Sequence, residues 1–205
     1  MINFTLYGDS ISSTTHGNGG FQKFFDEDGN FNMCNYAIPS SSLSAVYKDN
    51  MIDILENNNF PNAYDDFVVI WYGTNDWFWG SGIKDGESDD ISFEKSIDIV
   101  INKLKKFINP SRIIWLLPIY RNELANTTNK KYNLFGYFLD DYKEAIYKKS
   151  KELNFVTYDI QKDLNWNPNN YNLYMEDGTH PNEAGCYKIY LLLKRYLIRK
   201  ERENG

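Results

Sequence analysis

Residues 67–72 read Phe67-Val68-Val69-Ile70-Trp71-Tyr72, six apolar side chains without a break. A strand with water on one face alternates apolar and polar residues, so this run marks a strand covered on both faces. Such a strand needs helices above and below it, and the sequence supplies them. Leu43, Val46, Tyr47, Met51, Ile54 and Leu55 recur at helical spacing. So do Phe93, Ile97, Val100, Ile101, Leu104 and Ile108, with Glu94, Asp98, Lys103 and Lys105 on the opposite side. Phe135, Phe138, Leu139, Tyr142, Ile146 and Leu153 mark a third helix. A fourth, opened by Pro181, carries Cys186, Ile189, Tyr190, Leu193 and Leu197 inward. Residues 3–7, 31–38, 112–117 and 155–160 read as further strands. Five strands interleaved with helices predict a parallel sheet in a three-layer α/β/α sandwich.

Within 205 residues nothing marks a second domain, so residues 1–205 are expected to form one. A net charge of −6, mixed along the chain, argues against nucleic acid or an anionic membrane as partner. Neither a Gly-x-Gly-x-x-Gly loop nor a Gly-x-x-x-x-Gly-Lys-Ser/Thr loop is present, which counts against a nucleotide or flavin binder. Cys34 and Cys186 give no framework of bridges and no metal-ligand spacing, and both are expected as buried free thiols. No metal and no cofactor is expected. Met1 leads at once into Asn3-Phe4-Thr5-Leu6, a strand and not a signal peptide, and no apolar run has the length of a membrane span. The expectation is a soluble, cytoplasmic protein. Aromatics reach 17%, which fits an aromatic-rich core and equally a sugar-stacking surface.

Chemistry concentrates at strand ends. Gly8-Asp9-Ser10 closes the first strand, where Gly8 allows a tight turn, Asp9 can hold loop amides, and a following helix would offer N–H groups to Ser10. Serine is weakly nucleophilic until a base takes its proton, and imidazole suits that task. There are only two histidines. His16 lies in a Ser/Thr/Gly-rich loop with nothing nearby to orient it, and is read as a solvated loop residue. His180 ends Asp177-Gly178-Thr179-His180, where an acid three residues earlier can fold back onto Nδ1, fix the tautomer and stabilise the imidazolium. After the buried strand comes Gly73-Thr74-Asn75-Asp76, where an Asn amide can donate to an oxyanion, a contact of about 3–4 kcal/mol in acyl transfer, with a turn held by Asx hydrogen bonds as the alternative.

These three segments, in this order and spacing from Leu6 to about Ile189, resemble blocks I, III and V of the SGNH (GDSL-type) hydrolases. The resemblance implies a flavodoxin-like five-stranded sheet of order 2-1-3-4-5. It implies Ser10 as nucleophile, His180 as base, Asp177 as orienting acid and Asn75 as oxyanion donor, with Asp9 and Asp76 in structural roles. The second block departs. Where the family has Asn-x-Gly-x-x-Gly, this chain has Asn35-Tyr36-Ala37-Ile38-Pro39-Ser40, so Ser40 stands in place of the last Gly. Its backbone N–H survives the change, and the expected oxyanion hole is Ser10 N–H, Ser40 N–H and the Asn75 side chain. Ser41 or Ser42 is the alternative donor. At φ > 0 a Ser would bear a steric cost that Gly avoids.

Trp77-Phe78-Trp79 follow directly, and three consecutive aromatics in a loop predict that at least one lines the entrance, with Trp77 and Trp79 as candidate substrate contacts. Residues 77–90 and 119–134 both begin just after a strand and are expected to shape the site. With no long apolar lid, the expected activity is that of a serine ester hydrolase removing a small O-acyl group, such as acetyl, from a small molecule or carbohydrate. Alternatives on the same fold are an acyltransferase and a catalytically silent carbohydrate-binding module.

Overall fold

A computed structural model describes the chain except for Asp89, residues 122–131, Pro168 and Gly205. Its sheet consists of β1 (Ile2–Gly8), β2 (Phe31–Asn35), β3 (Phe67–Trp71), β4 (Ile113–Leu116) and β5 (Val156–Tyr158), all parallel and in the order β2-β1-β3-β4-β5. The helices are α1 (Gln22–Asp26), α2 (Met51–Glu56), α3 (Thr74–Trp79), α4 (Phe93–Leu104), α5 (Leu139–Leu153), α6 (Ile160–Leu164) and α7 (Glu183–Asn204).

Successive side chains of a strand point to opposite faces, and β3 divides its run accordingly. Phe67, Val69 and Trp71 join Phe21, Phe25, Leu164, Ile189 and Leu193 in one core, under α1, α6 and α7. Val68, Ile70 and Tyr72 join Ile54, Ile97, Ile101, Tyr142 and Ile146 in the other, under α2, α4 and α5. Every residue of β3 is buried. At roughly 1.5–3 kcal/mol for each large side chain, these two cores drive the fold. Among the described residues no helix is long and apolar enough to cross a membrane.

The elements differ from the sequence expectation where polar contacts intervene. The helix expected from Leu43 onward begins at Met51, because Asn50 caps it by accepting the Asp53 N–H at 3.0 Å. Leu43 and Ser44 instead give their N–H groups to the Asp76 carboxylate, at 3.0 and 2.9 Å. Phe135 and Phe138 are exposed and precede α5. The last strand stops at Tyr158, and Ile160 already opens α6. Both cysteines are free; Cys186 is buried as expected, but Cys34 on the edge strand β2 is only partly covered. Of the stretch 119–134, residues 122–131 lie outside the described residues.

The sheet order reverses direction between β1 and β3: the chain leaves β1 towards β2 and then returns to the other side of β1. The carboxyl ends at such a switch point leave a crevice. Gly8 pairs with Trp71 there, so the segments that follow β1 and β3 emerge side by side.

Candidate active site

Ser10 is the second residue beyond β1. It opens a single 3₁₀ turn, Ser10–Ser12, in place of the α-helix expected there; α1 starts only at Gln22. Asp9 caps the turn by accepting the Ile11 N–H at 2.9 Å. A Cβ on Gly8 would sit 2.4 Å from Ser12 Oγ and 3.1 Å from the Trp71 carbonyl oxygen, so close packing under the turn demands glycine here. Burial pushes the Asp9 carboxyl up to about 7, with the Ile11 N–H pulling the other way.

His180 lies 2.9 Å from Ser10 Oγ through Nε2, and 2.8 Å from Asp177 Oδ2 through Nδ1. The other Asp177 oxygen accepts the backbone N–H groups of Thr179 and His180, at 2.6 and 2.7 Å. Asp177-x-x-His180 thus closes into a local ring that aims the imidazole. Partial burial of the Asp177 carboxyl raises its pKa, but the His180 imidazole and the two N–H groups outweigh that and hold it well below the usual range.

Tyr36 and Ile38 continue the ladder beyond β2, their N–H groups bonding the carbonyl oxygens of Leu6 and Gly8 at 2.9 and 3.0 Å. The chain then turns, with Ser41 N–H on Ile38 O at 3.1 Å, Pro39 as first central residue and Ser40 as second at φ +66°. A turn with proline there and positive φ next is of type II, which favours glycine at the second position. Here Ser bears the left-handed backbone. Ser41 and Ser42, the alternative donors, already give their N–H groups to Ile38 and Asp49. The N–H of Ser40 bonds no described residue.

Asn75 stands in the first turn of α3 and donates Nδ2–H to Ser41 O at 2.8 Å. Asp76 beside it is wholly buried and binds Leu43 and Ser44, tying α3 to the segment after the Ser40 turn. Burial raises the Asp76 pKa despite the Ser44 and Leu43 hydrogen bonds. Ser10, Ser40, Asn75, Asp177 and His180 all line one cavity of about 380 Å³.

Residues 5–191 match the family described as GDSL-like lipase/acylhydrolase. The chain belongs to that family. A protein of Lactobacillus plantarum superposes with a TM-score of 0.82 at 20% identity over 97% of each chain. The lipase/acylhydrolase of Enterococcus faecalis gives 0.68 at 16% identity, over 98% of this chain and 97% of its own. An acetyl xylan esterase gives 0.66 at 21% identity, over 95% and 99%. No curated protein sequence matches the chain.

Within this GDSL-like fold the aromatic triplet is helical, not a loop, and so its side chains diverge by about 100° per residue. Trp77 is turned into the core, 1% exposed, with Nε1 donating to Tyr137 O at 3.0 Å, and does not line the cavity that holds Ser10 and His180. Phe78 and Trp79 line the cavity, and Trp79 stacks on Tyr47 with centroids 4.4 Å apart. Arg121, just past β4, also lines it, its guanidinium 4.8 Å from the Phe78 ring. Only its place after a strand could have singled it out.

His16 also departs from expectation. It is half-buried, with Nδ1 bonded to Glu176 Oε2 at 2.8 Å, and its ring lies flat on that of His180. No sequence signal marks Glu176 as its partner, 160 residues away. Among the described residues, no three His, Cys, Asp or Glu side chains gather as a metal site requires.

Proposed function

We propose that the chain is a serine carboxylester hydrolase that removes a small acyl group, acetyl by preference, from a carbohydrate alcohol. The observation that carries this reading is the continuous relay Ser10 Oγ–His180 Nε2–His180 Nδ1–Asp177 Oδ2, with contacts of 2.9 and 2.8 Å. Ser10 Oγ attacks the ester carbonyl carbon while His180 Nε2 takes its proton. Asp177 stays ionised and balances the imidazolium. The oxyanion is met by Ser10 N–H, Ser40 N–H and the second Nδ2 proton of Asn75, the first being held by Ser41 O. His180 then protonates the departing alcohol oxygen, leaving an acyl-Ser10 ester. Water attacks that ester with His180 again as base, and the acid leaves.

Cavity size favours a short acyl group, since about 380 Å³ must hold the reacting carbonyl and part of the alcohol. The half-exposed Trp79 offers a flat face at the cavity, which suits a sugar ring. The fold relative that is an acetyl xylan esterase has an activity of this class. The test is a panel of p-nitrophenyl esters from acetyl to palmitoyl beside acetylated sugars, with Ser10→Ala as control. Turnover falling steeply beyond butyryl, with acetate released from the sugars, supports the reading. A preference for palmitoyl, or equal turnover by Ser10→Ala, overturns it.

A further inference from the structure

The loop that carries Ser10 continues into His16, and the loop that carries Asp177 and His180 begins with Glu176. The two acids are neighbours in sequence, and each takes the Nδ1 of a different histidine at 2.8 Å. The two imidazoles are stacked, centroids 3.7 Å apart and planes 10° from parallel. His16 is not among the residues that line the cavity.

Each part of the second pair is anchored. Glu176 Oε1 accepts the Gly17 N–H at 2.7 Å, and the Glu176 N–H bonds His180 O at 2.8 Å. Gly17 has φ +61°, and a Cβ there would lie 2.3 Å from Cys186 Sγ and 3.0 Å from Pro181 O. Glycine at 17 thus lets the loop press His16 against the His180–Pro181 segment. Partial burial raises the Glu176 carboxyl, but the hydrogen bonds from His16 and the Gly17 N–H outweigh it and lower its pKa.

The histidine χ2 torsion is broad and imposes little orientation by itself. Asp177 tethers one edge of the His180 ring, which leaves rotation about that edge open. We infer that His16, fixed by Glu176, is a positioning residue that backs one face of the His180 imidazole and keeps Nε2 on Ser10 Oγ. The inference rests on the reading of Ser10 as nucleophile and His180 as base. It assigns the acid–imidazole pair Glu176–His16 to that reaction without contact to the reacting atoms.

The test compares wild type, His16→Ala, His16→Phe, Glu176→Ala and Ser10→Ala on p-nitrophenyl acetate, with melting temperatures and one-dimensional proton spectra of the imidazoles. His16→Ala should lower kcat by about 10- to 100-fold, the scale of a misplaced catalytic group, with KM within about two-fold of wild type. His16→Phe keeps a flat ring and should recover most of kcat. Glu176→Ala frees the ring from its anchor and should lower kcat with KM again unchanged. Because the chain has two histidines, His180 gives the one remaining imidazole spectrum in His16→Ala. Its ring protons should move downfield on losing the shielding of the stacked ring. Wild-type kcat in His16→Ala or Glu176→Ala overturns the assignment, as does equal loss in His16→Ala and His16→Phe at unchanged melting temperature. If His16→Ala does not fold, His16→Phe and Glu176→Ala decide by the same criteria. Activity surviving in Ser10→Ala sinks the reading of the nucleophile instead, whereas a dead Ser10→Ala beside a wild-type His16→Ala sinks only the role of His16.

Discussion

The side-chain amide of Asn75 is hydrogen-bonded to the carbonyl oxygen of Ser41 at 2.8 Å. One of its two N–H bonds is thereby spent on holding the amide against the turn that carries Ser40, and the other stays available in the cavity. A donor fixed in this way needs no reorganisation as charge develops. Asn75→Ala is expected to lower kcat by about 10²–10³-fold with little change in KM. Asn75→Asp should be no better, since a carboxylate would face both the Ser41 carbonyl and the oxyanion. Steady-state kinetics on p-nitrophenyl acetate read both, and a change confined to KM would remove Asn75 from the oxyanion hole.

Ser40 carries a left-handed backbone at φ +66° in a turn that favours glycine. If Ser40 acts through its backbone N–H, its hydroxyl is dispensable, and Ser40→Ala should keep activity within about two-fold while retaining the strain. Ser40→Gly should relieve that strain and raise the melting temperature by a few degrees, about 2–4 °C for roughly 1 kcal/mol. Loss of activity in Ser40→Ala on the scale of Asn75→Ala would mean that the side chain, not the N–H, does the work.

Asp177 serves His180 in two ways, through Oδ2 on Nδ1 and through Oδ1 on two backbone N–H groups. Asp177→Asn can keep the second and reverses the first, favouring the tautomer that cannot accept the Ser10 proton. A loss of about 10³–10⁴-fold in kcat is expected, smaller than that of His180→Ala. Because its partners hold the Asp177 carboxyl well below the usual range, it stays ionised through the assay range, about pH 5 to 9, and should add no ionisation of its own to the rise of kcat/KM with pH. Equal and complete loss in both folded variants would give Asp177 a further role.

The parallel three-layer sandwich, the Gly-Asp-Ser turn at a strand end and the Asp177–His180 contact were legible because each depends on short-range pattern, whereas the strand order came only from the resemblance to the SGNH hydrolases. An unbroken apolar run, a Gly-Asp-Ser at a strand end and an acid three residues before a histidine all act through local geometry. What was not legible depends on partners distant in the chain. His16 read as a solvated loop residue because Glu176 meets it only after folding. Trp77 reads as a site residue only if its segment is a loop, whereas Gly73 and the Asp76 contacts start a helix there. The helix expected from Leu43 was lost to the same buried carboxylate, which captures two N–H groups that a helix would have used.

Burial, reinforced by the Asp76 charge and opposed by the Ile11 N–H and the Arg121 charge, raises the Asp9 carboxyl to about 7 from its usual 3.8. Between these values the folded chain holds a proton that the unfolded chain has released, so this group's contribution to stability is full below about pH 4 and lost as pH rises through 7. Asp9→Asn keeps an acceptor for the Ile11 N–H and carries no such proton. Its melting temperature relative to wild type should therefore climb between about pH 4 and 8 and then level off. A difference that stays constant over thermal melts in that range would show that Asp9 is ionised in the fold throughout.

Whether Ser10, activated by His180, is the nucleophile is decided by mass spectrometry after reaction with a fluorophosphonate. The reagent esterifies a serine only where a base and an oxyanion site act on it. With that assignment, one adduct per chain is expected, carried on Ser10 of native wild type and lost in His180→Ala. An adduct on Ser40, Ser41 or any other serine, or no adduct on a protein that hydrolyses p-nitrophenyl acetate, would contradict it.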